Sequence, residues 1–209
     1  MAVLLAWVRQ KKIKGLIARL GSLDPGVRDA ASRDLVAIGA QAVPALIEEL
    51  RSGAARTRAI AATLLGRIRD MSAVHALIER LRDEDGAVQR AAASALGDIG
   101  APAVPSLIAR LQDADAETRT AAAWALGEAE DTRAVPFLVD RLRDKDLNVR
   151  RAAADALGRI CDATAVPALI ELLHDESTAV RQVAAVALDK IATPPALAAL
   201  QQWRAERGR

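Results

Sequence analysis

A tripeptide recurs along this chain at nearly constant spacing. Ala-Val-Pro, once Ala-Val-His, begins at Ala42, Ala73, Ala103, Ala134 and Ala165, in steps of 31, 30, 31 and 31 residues. Each copy is followed by a Leu-rich stretch, a polar turn and an Ala-rich stretch. Four of the Ala-rich stretches close on Leu-Gly, at Leu65-Gly66, Leu96-Gly97, Leu126-Gly127 and Leu157-Gly158. With a degenerate copy before Ala42 this makes six repeats. A period near 31 residues is the signature of stacked supersecondary units that bury a core only against one another. It argues against a globular domain built around one enclosed active site.

The fifth repeat, Ala134 to Thr164, shows how one unit is built. Val135, Leu138, Val139 and Leu142 recur at helical spacing and define one apolar face, with Pro136 tolerated in the first turn. Arg141 and Arg143 are expected to point away from that face. Asp146 is a natural N-cap for a second helix over about Leu147 to Ile160, its carboxylate accepting from orphan N–H groups. Asp24, Asp85 and Asp115 share that slot, Ser177 takes it in the sixth repeat, and Ala54 leaves the second repeat with the weakest turn. Val149, Ala153, Ala156, Leu157 and Ile160 form the buried stripe of the second helix. The recurring glycine costs helix propensity, so its return in four repeats predicts close approach of a neighbouring helix. Asp34, where other repeats carry Ala or Leu, is expected to face solvent.

Apolar residues make up 52% of the chain, enough for a core, but aromatic residues only 2%, which suits close packing of small-residue helices. Net charge is +2 with the two signs interspersed, so charge alone does not point to nucleic acid. The single cysteine, Cys161, excludes an intrachain disulfide and a cysteine-based zinc site, and fits a reducing compartment. The start, Met1 to Val8, is apolar and is followed by Arg9, Lys11, Lys12 and Lys14. It is a poor secretion signal and too short to span a bilayer, which predicts a soluble, cytoplasmic protein.

These residues resemble the HEAT-like repeats named after phycobilisome lyases. The matching pattern is Ala-Val-Pro-x-Leu-Ile, then Leu-x-Asp-x-Asp, then Val-Arg-x-Ala-Ala-x-x-Ala-Leu-Gly, over about Lys11 to Thr193. The resemblance implies an all-α solenoid of about six helix pairs, wound as a right-handed superhelix with terminal capping helices. It is read as one domain, residues 1–209: a capping segment at 1–10, six repeats over 11–194 and a capping helix at 195–209. The resemblance also implies that Arg28, Arg58, Arg119, Arg150 and Arg181 pair with turn aspartates as a ladder, with Gln89 departing in the third repeat. It further implies that the second helices line a concave face that binds partners.

Comparing the repeats supports that choice of face. The columns that vary most lie on the second helix at four-residue spacing: Asp29, Arg33 and Ala37; Ala59, Thr63 and Arg67; Arg90, Ser94 and Asp98; Thr120, Trp124 and Glu128; Arg151, Asp155 and Arg159; Gln182, Val186 and Lys190. Neighbouring columns stay Ala, Leu, Gly or Ile, as packing requires. Trp124 stands out as a large aromatic where other repeats carry small or polar residues, with Arg90 and Arg151 as flanking cations. The candidate partner-binding set is therefore Trp124, Thr120, Glu128, Arg90, Ser94, Asp98, Arg151, Asp155, Arg159, Thr63 and Arg67, with another protein or peptide in the groove. Trp7 and Trp203 read as apolar anchors of the end helices, with membrane contact by the first helix as a weaker alternative.

Enzymatic readings find little support. His75 and His174 are the two imidazoles, three repeats apart. The sequence holds no Ser-His-Asp spacing, glycine-rich phosphate loop or Cys-x-x-Cys, and no metal or cofactor is expected. The paired His-Glu motifs of di-iron hydroxylases with similar repeats are replaced here by Arg150-Arg151 and Arg181-Gln182. Cys161 takes the place of Gly39 and Gly100 at a helix end and reads as a buried structural thiol. Two alternatives to a protein-binding module remain. One is a subunit of a bilin lyase, implied by the resemblance. The other is a weak nucleic-acid binder through Arg51, Arg56, Arg58, Arg67, Arg69 and Arg90, although few aromatics are present to stack bases.

Overall fold

The computed structural model describes residues 2–207, and the chain is all-α, with no strand among them. It divides into two compact units, Met1–Ile99 and Gly100–Arg209. The first holds α1 (Ala2–Leu20), α2 (Pro25–Ile38), α3 (Val43–Ser52), α4 (Ala55–Ile68), α5 (Val74–Glu79) and α6 (Gly86–Ile99). The second holds α7 (Val104–Arg110), α8 (Ala116–Ala129), α9 (Val135–Arg141), α10 (Leu147–Ile160), α11 (Val166–Leu172), α12 (Thr178–Ile191) and α13 (Pro194–Arg207). Helices pair in sequence order, and within each unit the pairs stack in solenoid fashion. The span expected from Asp146 and its apolar stripe, Leu147 to Ile160, is α10 to the residue. The first helices are shorter than their periodicity suggests. The tripeptide's Ala closes a 3₁₀ turn, as in Thr132–Ala134, and the α-helix starts at the Val, with Pro in its first turn.

Packing between successive second helices dominates the stack: α4 with α6, α8 with α10, and α10 with α12. The recurring glycines explain how close these helices come. A Cβ built on Gly66 would stand 2.7 Å from Ala95 Cα, one on Gly127 2.8 Å from Ala156 Cα, and one on Gly158 2.8 Å from Ala187 Cα. The opposing atom is backbone each time, so it cannot swing away. Leu65, Leu96, Leu126, Leu157 and Leu188 beside these positions are fully buried.

A second set of interactions clamps the turns. Arg58 donates through Nε and Nη2 to Asp83, at 3.0 and 2.6 Å. Arg119 does the same to Asp144, at 2.9 and 2.7 Å, and Arg150 to Asp175, at 2.9 and 3.1 Å. The remaining nitrogen, Nη1, donates to carbonyls of the arginine's own turn: Gly53 for Arg58, Asp113 and Ala114 for Arg119, Asp144 and Lys145 for Arg150. Each guanidinium thus staples its own turn to that of the next repeat. Arg28 and Arg181 correct the expected ladder. Among the described residues they reach carbonyls of their own turns, and Arg181 also Thr178, but no aspartate carboxylate. For Arg28 the cause is plain, since the following turn reads Ser52-Gly53-Ala54 and has no carboxylate. Gln89 keeps the carbonyl bond, to Asp83, with its amide. Arg141 is also corrected: it folds back to donate to the Leu111 carbonyl and lies 3.7 Å from Asp144 instead of pointing to solvent, whereas Arg143 is exposed.

Burial pushes the carboxyls of Asp83 and Asp144 up, but this is overcome. The paired arginine, the N–H of Asp85 or Asp146, and a second cation, Arg80 or Arg141, together hold both below the usual carboxylate range. The N-caps form where expected: Asp24, Asp85, Asp115 and Asp146 accept from the first-turn N–H groups that follow. Ser177 and Ala54 supply no side-chain cap.

The second helices end in a left-handed residue: Gly39, Arg69, Gly100, Glu130, Cys161 and Ala192. Counting from the tripeptide's Ala, this residue lies 27 positions on in every repeat from Ala42 onward. With Gly there, the next tripeptide follows three residues later. Where Arg69, Glu130 or Cys161 stands there, an Asp is inserted, and Asp70, Asp131 and Asp162 cap the 3₁₀ turn. The single 30-residue step ends at the Gly100 connection. Cys161 therefore holds a C-cap conformation, but the expectation of a buried thiol is wrong: a residue capping a helix end points outward, and Cys161 is exposed. Asp34 is exposed as expected. Trp203 is half-buried and donates its indole N–H to the Leu173 carbonyl at 3.0 Å, which anchors α13. Trp7 departs from the anchor reading. It is 60% exposed on α1, whose buried residues among the described side chains are Ile13, Leu16 and Leu20.

The same substitution should have opposite signs at two glycines. Gly127→Ala forces a Cβ into backbone and should lower unfolding free energy by about 1–3 kcal/mol despite its better helix propensity. Gly15→Ala, exposed with nothing within 4 Å of the new Cβ, should raise it by about 0.5–1 kcal/mol. Urea titrations of both variants check this.

The depressed carboxyls set a pH dependence. Their stabilisation is complete above the unfolded carboxyl value near 4 and is lost as pH falls through the lower folded values. Arg119→Gln should cost about 3–5 kcal/mol at neutral pH and flatten the stability loss below about pH 4. Arg143→Gln, which breaks an exposed pair with Glu171, should cost under about 1 kcal/mol. Thermal melts across pH read both effects.

Candidate binding face

Every residue of the variable columns on α2, α4, α6, α8, α10 and α12 is exposed or half-buried, and none lies in the core. Helix geometry dictates this. Ala95, Ala156 and Ala187 pack against the glycine of the preceding helix, so their neighbours Ser94, Asp155 and Val186 turn off the line of closest approach.

In the first unit, Thr63, Arg67, Arg90 and Asp98 are exposed and Ser94 is half-buried. Thr63 spends its hydroxyl on the Ala59 carbonyl. The three charged residues make no ion pair among the described residues. The second unit differs. Glu128 pairs with Arg159 at 2.8 Å, Arg159 with Asp155 at 3.0 Å, and Asp155 approaches Lys190 at 3.8 Å. This series of pairs crosses α8, α10 and α12. The hydrogen bond to Asp155, with Glu128 nearby, raises the Arg159 guanidinium above its ordinary value. Thr120 donates to the Ala116 carbonyl.

Two features of this stripe stay unsatisfied. Trp124 on α8 is half-buried, and its indole N–H has no acceptor among the described residues. Arg151 on α10 is exposed and unpaired among them. Val186, in the same column as Trp124 and Asp155, is 53% exposed. An apolar surface with a free N–H donor, a free cation, and a neutralised charge network at one edge can receive an aromatic or aliphatic side chain together with a hydrogen-bond acceptor. Arg90, expected beside Trp124, is exposed on α6 of the first unit.

The other candidate chemistry is dispersed. His75 is exposed and lies 3.3 Å from Glu79, and the exposed His174 belongs to the other unit. Among the described residues no group of three His, Cys, Asp or Glu side chains is arranged to hold a metal ion. A cleft of about 480 Å³ lies at the turn edge of the second unit, lined by Leu142, Arg143, Arg150, Glu171, Leu172 and His174 among others. It does not include the stripe residues. Sequence reasoning does not find this cleft, nor the caps at Asp70, Asp131 and Asp162. The signal for those caps is present as an Asp three residues before each affected tripeptide.

A family model described as HEAT repeats matches residues 43–126, 74–148, 104–176 and 135–208 in overlapping stretches. A second, described as PBS lyase HEAT-like repeat, matches residues 27–52. No curated protein matches the chain. Solved structures do. YibA of E. coli is 21% identical, with 93% of this chain and 78% of that one covered and a TM-score of 0.54. Kap95p, solved with RanGDP, is 16% identical, with 88% and 31% covered and a TM-score of 0.62. The CpcE–CpcF phycocyanin lyase complex of Nostoc is 22% identical, with 92% and 94% covered and a TM-score of 0.49. At these identities the likeness is one of fold.

Proposed function

The chain belongs to the HEAT-repeat family, and from that premise we propose that it is a non-enzymatic, cytoplasmic binding or scaffold module holding a protein or peptide on its second-helix face. The observation that carries the reading is Trp124: a half-buried indole with a free N–H, on a stripe whose carboxylates Glu128 and Asp155 are already paired. A Trp fixed on a rigid helix loses little entropy on binding, and hot spots are enriched in Trp and Arg. Arg151 adds the requirement that the partner place a carboxylate or carbonyl beside the anchor. The fold fits such a role: Kap95p, similar in fold, was solved bound to RanGDP. A second reading, a bilin-lyase subunit, draws on the match of residues 27–52 to the PBS lyase type. An absorbance shift on mixing with bilin would favour it.

Parallel affinity captures with wild type and Trp124→Ala test the main reading. The expected result is a partner retained by wild type and weakened by about 30-fold or more in the variant, with the melting temperature unmoved. Equal retention, or a large fall in melting temperature with binding intact, overturns it.

A further inference from the structure

α1 does not fit the rest of the molecule. Across the whole chain Lys and Arg number 29 and Asp and Glu 27, yet α1 carries Arg9, Lys11, Lys12, Lys14 and Arg19 with no acidic residue. All five are exposed, and none makes an ion pair among the described residues. The helix opens with seven apolar residues in sequence, Ala2 to Val8. Of these, Trp7 and Val8 have described side chains, and they are 60% and 52% exposed.

The register of α1 sorts these residues. Ile13, Leu16 and Leu20 are buried and mark the side that packs on the fold. Trp7, Lys11, Lys14 and Ala18 follow at spacings of four, three and four and share the opposite side. Lys11 Nζ sits 5.4 Å from the centre of the Trp7 ring. One solvent-facing stripe therefore runs from an exposed indole to a row of ammonium groups within about 10 Å along the axis. No helix of the described residues is long and apolar enough to cross a membrane.

We propose that the first half of α1 docks on an anionic phospholipid surface. Trp7 and Val8 sit at the level of the glycerol and headgroups, and Lys11, Lys12 and Lys14 reach the lipid phosphates with their apolar stems against the acyl boundary. The two halves of the stripe need different environments, and this selects the occupant. A nucleic-acid backbone would satisfy the lysines but offers nothing apolar to Trp7 and Val8. A second copy would bring another all-cationic helix against this one. An anionic bilayer interface supplies both. The surface belongs to the first unit and uses none of the residues assigned to partner binding, so the two roles stand or fall separately.

Flotation of the full chain with vesicles of phosphatidylcholine alone, and of phosphatidylcholine mixed with phosphatidylserine, tests this. The chain should float with the anionic vesicles only, and less at high salt. Trp7→Ala should reduce flotation severalfold. Lys11→Glu, Lys12→Glu and Lys14→Glu together should abolish it, since removing one lysine from an anionic surface weakens partitioning by roughly fivefold. Arg56→Glu, Arg69→Glu and Lys145→Glu together change net charge equally at exposed sites off α1 and should leave flotation intact. Melting temperatures of all variants should match wild type, because none of these side chains is in the core. Absence of flotation, equal flotation of the α1 and control triples, retention on DNA without flotation, or a dimer that Trp7→Ala dissolves would each overturn the proposal.

Discussion

Three of the crossings between successive second helices bring backbone against backbone. Where Gly66, Gly127 and Gly158 meet Ala95, Ala156 and Ala187, two helices converge until no side chain fits between them. Such crossings accept one residue type on one side and one of the smallest on the other, so they lock register along the helix as well as distance between helices. Much else follows from that register. The leucine before each glycine is directed into the core. The residue before each alanine is directed away from the crossing, and these positions are where the repeats differ most.

The Arg–Asp staples act at the other end of the second helices and solve a different problem. A short turn between helices leaves carbonyls without partners, and a charged group brought there is partly removed from water. One guanidinium answers both, with one edge on the carbonyls of its own turn and the other on the carboxylate of the next. The carboxylate in turn accepts the N–H two residues on, which shapes the turn around it. Each component is buried only because the others are present. This explains why the pairs recur as units, and why Gln89 retains the carbonyl bond, which needs only a donor.

How much of this is legible in the sequence follows from the range of the interactions involved. Helix α10 is readable to the residue because its N-cap and apolar stripe are local signals repeated with small variations. The glycine crossings are readable because a residue costly in a helix recurs at one position. Cys161 misleads because substitution for Gly suggests a packing event, whereas the slot is defined by a left-handed backbone at φ 55° that leaves the side chain outside. Trp7 misleads because composition says that an aromatic seeks cover and only packing says whether cover exists. Arg141 misleads because its partners, Leu111 and Asp144, lie on a neighbouring helix end and a turn that helical periodicity does not see.

The same distinction separates the two tryptophans that face solvent. Trp124 sits on a stacked helix, half-covered, beside charges that have already found each other across three helices. A partner there meets a surface whose electrostatics are largely spent internally, so discrimination must come from shape at the indole, the single N–H and Arg151. Trp7 sits on one helix beside charges that find no counter-ion among the described residues. What it meets must supply counter-charge in quantity and need not supply shape. An internally neutralised site selects by complementarity of form and an unneutralised one by charge density. On that ground the stripe of α8, α10 and α12 suits the single defined partner proposed for it, and α1 the proposed lipid surface.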